Sequence, residues 1–350
     1  MIELRDIRVH FPVRQSLAAT LRGSSRGVVK AVDGVDLRVG RGEIVALVGE
    51  SGCGKTTTGR ALVRLAPITG GTVLLDDRDV TRIQGPALHA YRRRVQIIFQ
   101  DPYESLNPKQ TIRQIVREPL DVQGVGAGRD RDGLVSRALE DAGLRPAAAY
   151  MERYPHELSG GQRQRVAIAA AMVLDPEVVV ADEPVSMLDV SIRAGILRVM
   201  LDLRESRGVG YLFITHDLSL AWLIADRIAV MYLGRIVEEG PADRVVRDPS
   251  HPYTRALLSV MPSPDPSRRR PRTILAGEAP DASRVPPGCR FHPRCPVAMD
   301  RCRTDEPPVV RLGDGRRVAC WLAGDVRSTE PGAAADSADG GTAGAGGVLR

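Results

Sequence analysis

The sequence predicts an α/β fold with a mixed sheet, and three observations carry this prediction. Two uninterrupted apolar runs, at 44–48 and 178–181, are typical of strands buried on both faces of a parallel sheet. The first run leads into a glycine-rich loop and then into a helix-like segment, at 57–65, which is the order of a phosphate-binding unit. The first 48 residues otherwise consist of short strand-like runs, which predict further strands.

The glycine-rich loop spans residues 49–56 and matches the pattern Gly, four residues, Gly, Lys, then Ser or Thr. Its glycines let backbone N–H groups turn toward phosphate oxygens, and the following helix adds the positive end of its dipole. We expect Lys55 to reach the β- and γ-phosphates of ATP and the Thr56 hydroxyl to hold Mg²⁺. The predicted phosphate-binding residues are Gly49, Glu50, Ser51, Gly52, Cys53, Gly54, Lys55, Thr56 and Thr57.

Composition limits the class of protein. The 350 residues allow about two domains, and a net charge of +6 is modest for this length. No apolar run approaches the roughly 18 residues that span a bilayer, and residues 1–8 alternate like a first strand instead of forming a signal peptide. We expect a cytoplasmic protein whose arginine clusters, at 92–94 and 268–270, are solvated surface and do not bind nucleic acid.

The strands and helices follow one another in a regular order along the chain. Residues 15–29 are polar and predict a loop. The ring of Phe11, which precedes them, is expected either to stack on adenine or to lie in the core. Further predicted strands lie at 3–9, 35–39, 70–75, 95–99, 211–215, 228–232 and 235–238. The segment 101–157 predicts a helical subdomain, and amphipathic helices are predicted at 158–174 and 190–207.

The second apolar run supplies the other half of an ATP site. It ends in Asp182 and Glu183, at the edge where ligands gather in an open parallel sheet. We expect Asp182 to hold Mg²⁺ and Glu183 to orient and deprotonate the attacking water. Residues 158–162, Leu-Ser-Gly-Gly-Gln, open a helix at the cap Ser159 and predict a second anion site.

Together these motifs resemble the ATP-binding subunit of an ABC transporter over residues 3 to about 245. The resemblance implies a P-loop fold of ABC type, with a mixed sheet, an antiparallel β subdomain and a helical subdomain. The motifs are Walker A at 49–56, the Q-loop at Gln100, the signature with Ser159, Gly160, Gly161 and Gln162, Walker B at 178–183, the D-loop at 186–189 and the switch His216. The strings at 99–108, 154–158 and 182–186 resemble the oligopeptide/dipeptide importers, and those at 30–35 and 49–55 the second of their two paired ATPases.

The resemblance implies how the ATPase works. Two nucleotide-binding domains would face head to tail, with each ATP between the Walker A loop of one and the signature of the other. The partner would be a sister ATPase or a second copy, and the dimer would act on two membrane permease subunits served by an extracellular solute-binding protein. Gln100 would sense Mg²⁺ and the γ-phosphate, Asp189 would contact the opposite monomer, and His216 would hold the γ-phosphate. Segment 103–119 would meet the permease, at the cytoplasmic face of the membrane.

Two residues depart from the family pattern, and two other functions stay open. Met187 replaces a small residue of the D-loop, and Ala170 replaces an arginine. A soluble ABC ATPase that acts on nucleic acid or the ribosome is the alternative class. This chain has one set of motifs and no sustained heptads, which argues against it. Export instead of import is the third reading, and the separate chain without a fused membrane domain disfavours it.

The C-terminal stretch contains four cysteines, at Cys289, Cys295, Cys302 and Cys320. It resembles the extension of the peptide-importer ATPases. The gaps of five, six and seventeen residues are wider than those of most zinc sites and fit a four-iron–four-sulfur cluster better. Four reduced cysteines that pack as small apolar residues are the alternative.

Changes in composition predict the domain boundaries. We expect a nucleotide-binding domain at 1–260, a Pro/Arg-rich linker at 261–276, the cysteine-rich extension at 277–325 and a disordered tail at 326–350.

Overall fold

Two sheets flanked by helices make up the fold. The computed structural model describes residues 1–12, 27–127, 129–261, 275, 277 and 280–323. The strands are β1 Ile2–Pro12, β2 Val28–Val39, β3 Ile44–Val48, β4 Gly70–Leu75, β5 Arg78–Asp79, β6 Val95–Ile98, β7 Val178–Asp182, β8 Gly210–Thr215, β9 Arg227–Tyr232, β10 Arg235–Pro241, β11 Val309–Arg311 and β12 Arg317–Ala319. The helices are α1 Lys55–Leu62, α2 Gly85–Arg94, α3 Pro102–Ser105, α4 Ile112–Gln123, α5 Arg129–Asp141, α6 Ala148–Met151, α7 Gly160–Met172, α8 Val190–Arg207, α9 Leu218–Ile224, α10 Ala242–Arg247, α11 Pro252–Ser259 and α12 Arg301–Thr304.

The first strands form the predicted antiparallel sheet, in the order β2-β1-β4-β5. The predicted loop 15–29 extends two residues too far. Val28 and Val29 belong to β2 and not to the loop 15–29, because they pair with Pro12 and Phe11 of β1. The loop residues 15–26 lie outside the described residues.

The central sheet contains the predicted parallel strands, in the order β9-β3-β8-β7-β6. All residues of β3 and β7 are buried, because α1 covers one face of the sheet and α7, α8 and α9 pack on the other. An apolar run without alternation therefore indicated the parallel arrangement correctly.

The helical subdomain lies beyond β6 and comprises α3 to α6. Thr111 caps α4 through a capping box with Gln114. Helix α7 packs against α4 and α5 on one side and against α8 on the other, so it connects the subdomain to the core. Helix α7 begins at Gly160, and its capping residue, Ser159, is exposed.

The cysteine-rich extension continues the central sheet, which the sequence did not indicate. Strand β12 pairs antiparallel with β10 and β11 pairs with β12. Phe291 is buried between Tyr232 and Tyr253, with ring centroids 5.3 Å from each. Of the predicted linker 261–276 only 261 and 275 are described, and the predicted disordered tail at 326–350 lies outside the described residues. The domain boundaries stay a prediction.

Candidate functional site

The phosphate loop is packed so closely that two of its glycines leave no room for a side chain. Gly49 has φ 155° and Gly54 has φ 110°. A Cβ at Gly49 would lie 2.2 Å from the carbonyl oxygen of Met231, and one at Gly54 would lie 2.2 Å from that of Ala31. These contacts fix the loop between β2 and β9, so that its N–H groups keep one arrangement.

Lys55 lies at the centre of this loop and is 6% exposed. Its Nζ donates to the carbonyl oxygens of Gly49, at 2.8 Å, and of Glu50, at 2.9 Å. A buried ammonium must be hydrogen-bonded, and here the loop's own backbone provides the acceptors. The arrangement keeps a positive charge inside the loop, where the phosphates of a nucleotide would need it.

Asp182 and Thr56 meet beside the loop. The Thr56 hydroxyl donates to Asp182 Oδ1 at 3.0 Å. Burial raises the pKa of Asp182, although the bond from Thr56 and the nearby positive charges oppose this. The negative charge of this buried carboxylate is only partly balanced by its surroundings. A carboxylate and a hydroxyl are oxygen ligands of the kind that Mg²⁺ binds. The residues therefore fit the predicted ion.

Three predicted residues converge because they follow neighbouring parallel strands. Gln100 comes after β6, Glu183 after β7 and His216 directly after β8. Glu183 Oε1 lies 3.1 Å from His216 Nδ1, and Gln100 Nε2 donates to Glu183 Oε2 at 3.2 Å. Glu183 also has φ 46°, a strained conformation that is typical of functional positions.

The signature residues lie apart from this group. Ser159 Oγ accepts from the Gln162 N–H at 3.3 Å, and Gly161 packs so closely on Ile192 that a Cβ would approach its side chain to 2.6 Å. Among the described residues, no hydrogen bond or salt bridge joins the signature 159–162 to the loop 49–57. No hydrogen bond or ion pair of the described residues thus connects the two predicted anion-binding motifs within this chain.

Asp189, predicted to contact the opposite monomer, and Phe11, predicted to stack on adenine, are both exposed. Asp189 precedes α8 without a side-chain cap, and Met187 beside it is 59% exposed. Phe11 is 37% exposed, which disfavours the core alternative. It pairs with Val29, two residues before Ala31, whose carbonyl adjoins Gly54.

Sequence reasoning missed an apolar groove of about 340 Å³ between β6 and the helical subdomain. It is lined by side chains of α4, including Val122, and by side chains of α7, including Ala170. The family pattern has an arginine at position 170. Ala170 instead contributes a small apolar side chain to the groove.

Sequence reasoning also missed two residues that contact the phosphate loop. The Tyr253 hydroxyl accepts from the Glu50 N–H at 3.0 Å, and Arg294 forms a 2.8 Å ion pair with the Glu50 carboxylate. Both lie about two hundred residues or more from the loop in sequence, and no local pattern signals a contact of this range.

The four cysteines of the extension line one small cavity with Phe291 and Trp321. All four are free thiols. Burial raises the pKa of Cys289 to about 11, and it also raises those of Cys295 and Cys320. Among the described residues, no group of three or more Cys, His, Asp or Glu is arranged to hold a metal ion.

The comparisons with known proteins agree with this geometry. Residues 32–186 match the family described as ABC transporter, and residues 237–302 match the oligopeptide/dipeptide transporter C-terminal region. The chain is 44% identical over 315 residues to the dipeptide transport ATP-binding protein DppF of Haemophilus influenzae, covering 90% of this chain and 94% of that protein.

The chain belongs to the ABC transporter ATPases. It is also 44% identical over 325 residues to the oligopeptide transport ATP-binding protein AppF of Bacillus subtilis, covering 92% of this chain and 97% of that one. The structure resembles the dimeric, ADP- and phosphate-bound cassette MJ0796, with a TM-score of 0.60 and 28% identity, over 69% of this chain and 99% of that one. The predicted family and fold are thereby confirmed, and in this family ATP and Mg²⁺ are the expected ligands of the site. No helix in the described part of the ABC ATPase is long and apolar enough to cross a membrane.

Proposed function

We propose that this ABC ATPase binds and hydrolyses ATP to power the import of dipeptides or oligopeptides through a membrane permease. The observation that carries the proposal is the match of residues 237–302 to the C-terminal region of oligopeptide/dipeptide transporters. Identity of 44% to peptide-transport ATPases over nine-tenths of the chain supports it.

In the proposed hydrolysis, the loop N–H groups and Lys55 bind the phosphates. Thr56, Asp182 and Gln100 would hold Mg²⁺, which neutralises charge on the phosphates when bound. Glu183 takes a proton from the attacking water, and His216, 3.1 Å from its carboxylate, holds that carboxylate and the γ-phosphate in place. Phe11 stacks on the adenine ring.

The proposed site is completed by a second nucleotide-binding domain. Signature residues 159–162 do not bond to the phosphate loop of their own chain, and Ser159 and Asp189 are exposed. A head-to-tail pair would place each signature against the other subunit's ATP. The dimeric state of the solved cassette MJ0796 supports this arrangement, and the second domain is a sister ATPase or another copy.

The apolar groove between β6 and the helical subdomain is the proposed contact with the permease. Phe99 lines the groove and is followed by Gln100, which bonds to Glu183. A permease segment bound in this groove would respond to changes at the γ-phosphate that reach it through Glu183 and Gln100. The ATPase would accordingly lie at the cytoplasmic face of the membrane, and it would receive peptide signals from an extracellular binding protein through the permease.

Replacing Val122 by Asp tests this contact. Val122 lines the groove and is 60% exposed, so the substitution places a charge in an apolar contact at little cost to folding. We expect at least about ten-fold less permease to co-purify with the Val122→Asp chain from detergent-solubilised membranes. ATP affinity should be unchanged.

The matched control is Val309→Asp, which changes an equally exposed valine, 61%, on β11 of the extension. It should co-purify permease like the natural chain. Recovery of nucleic acid or ribosomes in place of permease would support the soluble ABC class and overturn the import proposal. Export is distinguished by the direction in which peptide moves across a vesicle containing the assembled transporter.

We also propose that the four cysteines hold an iron–sulfur cluster. The supporting observation is that four thiols line one small cavity. A cluster with four cysteine ligands spaces its thiolates more widely than one zinc ion does. The cluster would anchor a segment with a small core of its own.

Metal analysis of the chain purified without oxygen tests the cluster. We expect roughly four irons and four sulfides per chain, lost when Cys289, Cys295, Cys302 and Cys320 are each changed to Ser. Cys53→Ser is the matched control, because Cys53 lies in the phosphate loop away from the cavity, and it should retain the iron. Stoichiometric zinc or the absence of any metal would contradict the proposal.

A further inference from the structure

Glu50 of the phosphate loop is bonded in three directions at once. Its carbonyl accepts from Lys55 Nζ at 2.9 Å, its N–H donates to the Tyr253 hydroxyl at 3.0 Å, and its carboxylate pairs with Arg294 at 2.8 Å. Glu50, one of the two residues whose carbonyl oxygens accept a hydrogen bond from Lys55, is therefore itself held by Arg294 of the cysteine-rich extension.

Arg294 is held in place for this contact. Its side chain is only 9% exposed, and a buried guanidinium is retained only where a carboxylate pairs with it. It belongs to the short turn His292–Arg294, which follows the buried Phe291. Because Phe291 packs on both Tyr232 and Tyr253, the turn cannot shift without disturbing the aromatic cluster.

A second arginine of the extension approaches the same loop by another route. Arg290 pairs with Asp33 of β2 at 2.5 Å. The Asp33 N–H donates to the Gly234 carbonyl, and the Gly234 N–H donates to the carbonyl of Cys53 in the loop. Burial opposes the charge on Asp33, but bonds from Arg290 and His10 lower its pKa to about 2, so the pair stays ionised.

We propose that Arg294 is a positioning residue for ATP binding, which holds the phosphate loop in its receptive arrangement through Glu50. The extension would then do more than continue the sheet: it would set the affinity of the loop for nucleotide. Loop N–H groups bind phosphate best when their arrangement is fixed before the nucleotide arrives, because less conformational entropy is then lost on binding. The proposal depends neither on the transported solute nor on a metal at the cysteines.

The test compares the full-length chain with Arg294→Ala and Arg294→Lys, using equilibrium binding of ATP. We expect Arg294→Ala to raise the Kd for ATP about five-fold or more, the low end of measured couplings between sites. The turnover rate at saturating ATP should change less than about two-fold, because Glu183 and His216 are untouched. Arg294→Lys keeps a charge near Glu50 and should restore part of the affinity.

Arg317→Ala is the matched control. Arg317 also anchors the extension by an ion pair, but to Glu239 of β10, away from the phosphate loop. It should lower the temperature of unfolding without changing the Kd for ATP. Equal ATP affinity in the natural chain, Arg294→Ala and Arg317→Ala would overturn the proposal and leave Arg294 as an attachment of the extension only.

A double-mutant cycle checks that Arg294 acts through Glu50. Glu50→Gln alone should raise the Kd for ATP to a similar degree, and adding Arg294→Ala should have little further effect. Additive losses would contradict the proposed route. If Arg294→Ala does not fold, the comparison of Arg294→Lys with Glu50→Gln still decides between the outcomes.

Discussion

Changing Glu183 to Gln is expected to lower the rate of ATP hydrolysis by about a thousand-fold, because the amide cannot take a proton from water. ATP binding should persist, since Lys55 and the loop are unchanged. The variant should therefore accumulate as an ATP-bound pair of chains. The measurement is phosphate release at saturating ATP together with the molecular mass of the protein in solution with and without ATP.

The matched control for this experiment is Glu205→Gln, an exposed glutamate on α8 for which the described residues show no hydrogen bond or ion pair. Its hydrolysis should equal that of the natural chain. Normal turnover by the Glu183→Gln variant would remove Glu183 from the role of general base, and His216 or Asp182 would have to be tested in its place.

Changing Lys55 to Ala is expected to weaken ATP binding by about a hundred-fold, because a hydrogen bond to a charged group contributes up to about 3 kcal/mol. The buried ammonium joins the carbonyls of Gly49 and Glu50, and in the proposed site it also neutralises phosphate charge. Its loss therefore removes a ligand of ATP and loosens the loop. The measurement is the Kd for ATP of the purified chain.

Lys109→Ala is the control for Lys55, because Lys109 is an exposed lysine of the helical subdomain. It should bind ATP normally. If Lys55→Ala binds ATP as well as Lys109→Ala does, the loop 49–56 is not the phosphate site.

Local patterns predicted much of the core of this ABC ATPase. The apolar runs at 44–48 and 178–181 lie in the central strands β3 and β7. Helix α8 has the bounds predicted for it, Val190–Arg207, and Gly208 ends it in a left-handed conformation. In these segments the residues themselves determine the structure.

Long-range pairing explains what the sequence did not reveal. Strands β11 and β12 have three residues each; β12 is stabilised by pairing with β10, about eighty residues away, and β11 pairs with β12. The contact of Arg294 with Glu50 spans 244 residues. The grouping of Gln100, Glu183 and His216 was expected from the family resemblance, but their hydrogen bonds depend on the order β6, β7 and β8 in the sheet.

Peptide-dependent ATP hydrolysis tests the central proposal most directly. The full chain, assembled in lipid vesicles with the permease subunits it co-purifies and their solute-binding protein, is supplied with ATP and with or without peptide. We expect peptide to raise the rate of hydrolysis and to accumulate inside vesicles oriented for uptake, and we expect Glu183→Gln to abolish both effects. Hydrolysis that is indifferent to peptide and permease, but stimulated by nucleic acid, would contradict it.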